Sequence, residues 1–197
     1  MAVRVFPSGS AVRARPDIPD ASWDDARRDL YLLRRDVARP LSADRSVWPA
    51  LDGIGRTSFD FPFWVPLDEV RAQRDAWAGG ARDEWVVVVF GVAVEHDADA
   101  ALVGGCVSLD AELRVEPAWA FLGYDVTDSP TGGISGLCNC GYSDEPEASL
   151  LRARWGPLLN EQGLFGRVED AFGFRVVCDR RVEEHAPFFV TGLWIAT

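Results

Sequence analysis

The clearest hydrophobic pattern in the chain is an apolar run from Trp85 to Val94, in which most residues are β-branched or aromatic. This composition is typical of a β-strand. Because the apolar side chains occupy consecutive positions and do not alternate with polar ones, both faces of the strand should be buried. We therefore predict a central strand over residues 84–94, followed by a polar turn at 96–99. Shorter apolar stretches predict further strands at 105–109, 118–126 and 188–196.

Helical periodicity occurs on both sides of these strands. Leu30, Leu33 and Val37 recur at helical spacing. Ser22 precedes them at a position that suits the N-cap of the predicted helix. Val168 and Phe172 start a similar pattern near the other end of the chain. The predicted helices cover residues 23–38, 66–77, 148–155 and 167–185.

Helices at both ends with strands between them predict an α+β fold, with a mostly antiparallel central sheet flanked by several helices. The length of 197 residues suits a single domain, 1–197. Three prolines in residues 7–22 suggest that residues 1–22 form an irregular N-terminal lead-in. No apolar run reaches the roughly 18 residues of a membrane span, and no secretory signal is recognisable. We expect a cytoplasmic protein without membrane contact.

The net charge of −11 is unevenly distributed. Residues 1–60 carry ten arginines and nine acidic residues, whereas residues 61–197 carry ten arginines and twenty-two acidic residues. An acidic surface repels phosphate backbones, so no nucleic-acid partner is expected. It would attract a basic protein partner, although acidity also simply keeps proteins soluble. The absence of lysine among the twenty basic residues fits a GC-rich bacterial genome.

The most distinctive segment runs from Leu122 to Tyr142 and contains two cysteines separated only by Asn139. Zinc knuckles space their cysteines by two residues or more, and disulfides are rare in the cytosol. We therefore predict buried thiols with no metal and no cofactor, and a tight backbone path built from the glycines and Asn139. Whether the four cysteines converge is open: Cys106, Cys138, Cys140 and Cys178.

A thiol enzyme is one interpretation of this segment. A thiol nucleophile needs a base and an orienting carboxylate, and Cys138 or Cys140 with His185 and Asp125 would supply these residue types. A small-molecule hydrolase or transferase is the corresponding function. His185 also suits a helix-capping role, and no complete catalytic motif is present, so we favour a protein that is not an enzyme.

A contact surface is the other interpretation. The aromatic residues of segment 40–66 would either pin that segment to the core or line a binding surface, and aromatics are frequent in interface hot spots. Acidic and tyrosine side chains of the distinctive segment could join them. The candidate binding residues are Trp48, Phe61, Trp64, Asp125, Asp128 and Tyr142.

Four stretches of the chain resemble a family of small bacterial proteins of the immunity type, found in polymorphic toxin systems. These stretches are Leu122–Val126, Ser135–Tyr142, Leu159–Glu161 and His185–Phe188. The resemblance implies a toxin–antitoxin role, in which the protein neutralises a toxin by covering its active surface. The expected partner is a basic toxin or other basic protein, with the oligomeric state left open. The resemblance implies no catalytic residue.

Overall fold

The computed structural model describes residues 3–14, 67–68, 71–72, 75, 85–130, 135–139 and 147–196. They form an α+β fold with an antiparallel sheet, as predicted. The strands are β1 (Arg4–Ala14), β2 (Trp85–Val94), β3 (Ala120–Thr127) and β4 (Phe189–Ala196). The helices are α1 (Asp97–Gly104), α2 (Gly136–Asn139), α3 (Glu147–Trp155) and α4 (Val168–Arg181). Short 3₁₀ turns follow α3 at Gly156–Leu158 and α4 at Glu183–His185.

The sheet has the strand order β1-β2-β4-β3, so that β2 and β4 are its inner strands. Their register pairs Val92 with Thr191 and Ala93 with Val190. Every residue from Val87 to Val94 is buried, which confirms the predicted central strand. The consecutive apolar side chains of β2 fill the two sides of the sheet at once.

On one face of the sheet, α3 and α4 cover Ala93, Val126 and Val190. Trp155 of α3 packs edge-on against the rings of Phe165 and Phe174, with ring centroids 6.2 and 5.2 Å away. The buried residues of α4 are Ala171, Phe172, Phe174 and Cys178, and Ala171, Phe174 and Cys178 follow one another at spacings of three and four residues. Val176, which lies in the helical pattern of the sequence, is 47% exposed.

The opposite face is covered by α1 and the residues that follow it. Val103 of α1 packs with Phe6, Val92 and Phe189, and Leu109 lies against the same cluster. Within the described residues, no helix is long and apolar enough to cross a membrane.

Three local predictions were wrong. Residues 4–14 form β1 instead of an irregular lead-in, because pairing along β2 tolerates the proline at a register shift between Pro7 and Gly9. The predicted turn at 96–99 begins α1, because the Asp99 carboxylate accepts hydrogen bonds from the N–H groups of Glu95 and His96, both at 3.3 Å. Residues 105–109 are not a strand, since the N–H groups of Cys106 and Val107 both bond back to the carbonyl of Val103.

Other boundaries agree more closely. The helices predicted at 148–155 and 167–185 correspond to α3 and to α4 with its 3₁₀ turn, and the strands predicted at 118–126 and 188–196 correspond to β3 and β4. In the segment predicted as helix 66–77, the described residues 67–68, 71–72 and 75 are helical. The helix predicted at 23–38 lies outside the described residues.

Candidate contact surface

Residues 105–119 connect α1 to β3 without regular helix or strand, and we refer to them as the strap. Connections of more than about 12–15 residues without secondary structure are uncommon in compact domains and are often functional. The strap is therefore a candidate binding surface in the described part of the chain.

Apolar side chains hold the strap against both faces of the sheet. Val107 and Leu109 pack on the α1 side with Val92 and its neighbours. Leu113 lies on the opposite side, where its Cδ2 is 2.7 Å from the position that a Cβ on Gly91 would take. The backbone of Leu113 is also held, because its N–H donates a hydrogen bond to the carbonyl of Val5 in β1 at 2.7 Å. The strap thus passes from the α1 side of the sheet around β1 to the opposite side.

The outward side of the strap is acidic. Asp110, Glu112 and Glu116 are all exposed, together with Val115, which is 45% exposed. The Ser108 hydroxyl holds Asp110 in place by donating to its carboxylate at 2.8 Å. A carboxylate oxygen of Glu116 lies 3.6 Å from Arg71 Nη2. The strap therefore presents three carboxylates to solvent, together with Arg114, which is also exposed.

An aromatic cluster begins two residues after the strap, and we call it the shelf: Phe121, Tyr124 and Trp194. The ring of Phe121 lies 4.9 Å from that of Tyr124 and 5.2 Å from that of Trp194, measured between centroids. Phe121 pairs with Trp194 in register, and Tyr124 pairs with Gly192. Strand residues three apart normally point to opposite faces. Here an extra residue between Phe121 and Gly123 shifts the register, so both rings share one face.

Glycines allow the shelf to form. A Cβ on Gly192 would overlap the Trp194 ring, and one on Gly91 would lie 3.1 Å from the same ring. Gly123 has a φ of +140°, a conformation that residues with a side chain rarely adopt. The Trp194 ring can therefore lie across two inner strands beside the bulge.

Asn160 closes the bulge from outside β3. Its Nδ2 donates to the carbonyl of Leu122 at 2.6 Å, and its Oδ1 accepts the N–H groups of Gln162 and Leu164, both at 3.0 Å. Through these hydrogen bonds, Asn160 connects β3 to the turn that precedes α4. Asn160 received no role from the sequence, since an asparagine in a loop has many possible partners.

Tyr124 links the shelf to an acidic side chain of α4. Burial, and after it the negative charge of Glu169, raise the pKa of Tyr124 above its ordinary value. Glu169 is itself exposed, and its carboxylate lies 3.5 Å from Nε of Arg167. The negative charge of Glu169 therefore acts on one ring of the shelf, and the acidic strap precedes Phe121 in the chain.

Asp125, a predicted contact residue, has an internal position. Asp125 is only 9% exposed. Its carboxylate accepts the Ser135 hydroxyl and the N–H of Val126, both at 2.8 Å. Ser135 in turn accepts the N–H of Leu137, at 3.3 Å. Asp125 thereby attaches the first turn of α2 to β3 and offers little surface to a partner.

Asp128 and His185, also singled out from the sequence, lie together. His185 Nδ1 is 3.4 Å from Asp128 Oδ2, which joins the turn after α4 to the end of β3. Among the described residues, Asp128 therefore supplies a carboxylate to the predicted base, while Asp125 bonds to Ser135. No sequence pattern indicates this pairing, because the two residues belong to different elements.

The cysteines lie in different surroundings. Cys178 is buried in α4, where its Sγ packs against the start of α2 at Gly136. Cys106 is exposed at the start of the strap. Cys138 belongs to α2 by its backbone. The Cys138 side chain and the residues Cys140, Tyr142, Trp48, Phe61 and Trp64 lie outside the described part, so their predicted roles stay predictions.

Comparison with known proteins gave no relative: no protein-family model, no curated protein and no solved structure matches this chain. The resemblance of the segments between Leu122 and Phe188 to immunity-type proteins therefore stays a prediction. In the parts of the chain that the structure describes, no group of three or more His, Cys, Asp or Glu side chains is arranged to hold a metal ion.

Proposed function

We propose that this chain is a cytoplasmic binding protein that neutralises a basic partner by occlusion, as an immunity protein does with a toxin. The observation that carries the proposal is the strap, whose outward carboxylates are held on an anchored segment. A segment that is ordered before binding loses less conformational entropy when the partner docks. The exposed ring of Phe121 beside it supplies the aromatic contact that interface hot spots favour.

The charge distribution supports a basic partner over a neutral one. Residues 85–130 contain eight acidic residues and one arginine, Arg114. Two of the acids, Asp99 and Asp125, are buried, and the other six remain as the excess of negative charge. Such a local excess attracts a cationic surface from a distance and raises the association rate. Salt should weaken this attraction, because exposed charges are screened over about 8–10 Å at physiological ionic strength.

A growth assay tests the proposal directly. The product of the gene next to this one is expressed alone and together with this chain. We expect that product to arrest growth when expressed alone and to be neutralised by this chain, with which it copurifies. Growth arrest that this chain does not relieve would contradict the proposal.

A matched pair of variants tests the role of the strap in the same complex. Glu112→Gln with Glu116→Gln removes two strap charges, and Glu183→Gln with Glu184→Gln removes two exposed charges from the turn after α4. We expect the strap variant to lower the association rate at low salt by on the order of tenfold, and the turn variant to leave it nearly unchanged. Equal effects of both variants would show that only net charge matters and that the strap is not the contact surface.

A second candidate function is a thiol-dependent hydrolase or transferase acting on a small molecule. It is favoured by the contact between His185 and Asp128, since a carboxylate that orients a histidine is the usual support for a thiol nucleophile. Labelling of each thiol with iodoacetamide across a pH series, in the native chain and in Cys138→Ser, Cys140→Ser and His185→Gln, tests it. An enzyme should show one thiol that reacts as a thiolate well below pH 8.5 and loses this property in His185→Gln. Thiols that all titrate in the ordinary range would exclude it.

A further inference from the structure

Three separate features fix the positions of the shelf rings: a bulge in β3, two glycines and a hydrogen bond from Asn160. A bulge turns Phe121 toward Tyr124, glycines at 91 and 192 give the Trp194 ring its place, and Asn160 holds the bulge closed. Bulges often re-aim side chains at functional positions of a sheet. The result is a trio of rings in which Trp194 is buried and Phe121 is 43% exposed. The Phe121 ring therefore packs against Tyr124 and Trp194 and is partly open to solvent.

The charges around this ring favour a cation as its ligand. Glu116 of the strap precedes Phe121 by five residues in the chain and lies 3.6 Å from Arg71. The negative charge of Glu169, which lies 3.5 Å from Arg167, acts on Tyr124, the ring next to Phe121. An aromatic face attracts a cation that lies within about 6 Å of its centroid, and nearby carboxylates strengthen that attraction. Guanidinium groups are planar and weakly hydrated, so they stack on rings better than ammonium groups do.

We propose that the shelf is the arginine-binding site of the contact surface, where a guanidinium group of the basic partner stacks on the exposed ring of Phe121. This inference rests on the proposed function and specifies its partner chemistry. It assigns the strap to attraction and orientation of the partner, and Phe121 to recognition of one side chain.

The test uses the full chain and short synthetic peptides in which glycine alternates with arginine, lysine or citrulline. Citrulline keeps the planar shape of arginine but carries no charge. Binding is measured by isothermal titration at low and at physiological ionic strength. We expect the arginine peptide to bind best, the lysine peptide to bind less tightly and the citrulline peptide not to bind.

Variants of Phe121 separate the ring from its apolar bulk. Phe121→Leu keeps an apolar side chain and should weaken binding of the arginine peptide about two- to fivefold, whereas Phe121→Tyr should retain it. Leu150→Ala, which truncates an apolar side chain that is 74% exposed on α3, is the matched control and should have no effect. Thermal unfolding of each variant shows whether the fold is intact.

The outcomes distinguish this inference from the proposed function. If Phe121→Leu binds the arginine peptide as well as the native chain does, while the strap variant still weakens the partner complex, the shelf inference fails and the proposed function stands. Equal binding of the citrulline peptide, or no binding of the arginine peptide, also overturns the shelf inference. Self-association that Phe121→Leu abolishes would assign the shelf to a second copy of the chain and overturn it as well. Failure of the growth assay overturns the proposed function itself.

Discussion

Two regions of the chain, residues 85–130 and residues 147–196, differ sharply in how their charges are matched. The second region has seven acidic residues and six arginines, a nearly balanced set. The first has one arginine, Arg114. Its acidic residues are Glu95, Asp97, Asp99, Asp110, Glu112, Glu116, Asp125 and Asp128.

The regions also use their charges differently. In the balanced region Arg175 is mostly buried, and its Nη1 lies 2.7 Å from the Asp99 carboxylate, so it joins α4 to α1. Asp179 likewise accepts the N–H of Phe188 at 2.7 Å and fixes the start of β4. On the strap, by contrast, the carboxylates point to solvent. Charges that are matched inside the fold stabilise it, whereas the strap carboxylates stay exposed, even that of Glu116, which lies 3.6 Å from Arg71.

The largest effect should come from breaking the contact that crosses between the regions. Arg175→Met leaves the Asp99 carboxylate mostly buried without its cation, which should lower the free energy of unfolding by about 3 kcal/mol. Arg180→Met removes an exposed arginine from the same helix and should change it by less than about 0.5 kcal/mol. Urea denaturation measures both. Equal destabilisation would show that Arg175 contributes only helix propensity or general charge.

The next effect concerns the bulge that aims the shelf. Gly123→Ala must adopt a positive φ and brings its Cβ 2.6 Å from the Cβ of Leu164, so we expect a loss of about 2.5 kcal/mol. Gly166→Ala has no atom within 4 Å of its new methyl group and should be tolerated. Thermal unfolding of the two variants tests the difference. A neutral Gly123→Ala would mean that the bulge is not constrained as described.

A pH series tests the Asp99 carboxylate. Burial alone would raise the pKa of Asp99, but the hydrogen bond and charge of Arg175, with the N–H groups of His96 and Glu95, outweigh burial and lower it. Because the folded-state pKa is depressed, this stabilisation is complete above the ordinary aspartate pKa of about 3.9 and is lost as the pH falls through the lowered value. Asp99→Asn should cost about 2 kcal/mol at neutral pH, and the difference should shrink below about pH 4. A difference that stays constant down to strong acid would contradict this.

The smallest effect on stability should come from the strap. Glu112→Gln with Glu116→Gln removes exposed charges, so the free energy of unfolding should change by less than about 0.5 kcal/mol. A urea titration at low and high salt is the measurement. A large loss would mean that the strap carboxylates hold the fold together and are not reserved for a partner.

Much of the sheet could be predicted because its inner strands carry their own signal. The consecutive valines of β2 and the apolar start of β4 indicate buried strands without knowledge of their partners. The periodic residues of α4 likewise predict a helix, since helical contacts are local. The site could be predicted less well: Asp128 and His185 were both singled out, but their contact joins elements that are far apart in the chain. Phe121, Glu169 and Asn160 were missed because each acquires its role from a neighbour across the fold.

The sequence by itself determined the α+β class, the buried central strand and the excess of acid, because composition and local periodicity are enough for these. Only the tertiary structure decided that residues 4–14 pair as β1, that Asp99 caps α1 while it meets Arg175, and that a bulge brings Phe121 beside Tyr124. The physical reason is the range of the interactions. Strand pairing, buried ion pairs and register shifts depend on contacts between distant segments, which no local pattern encodes.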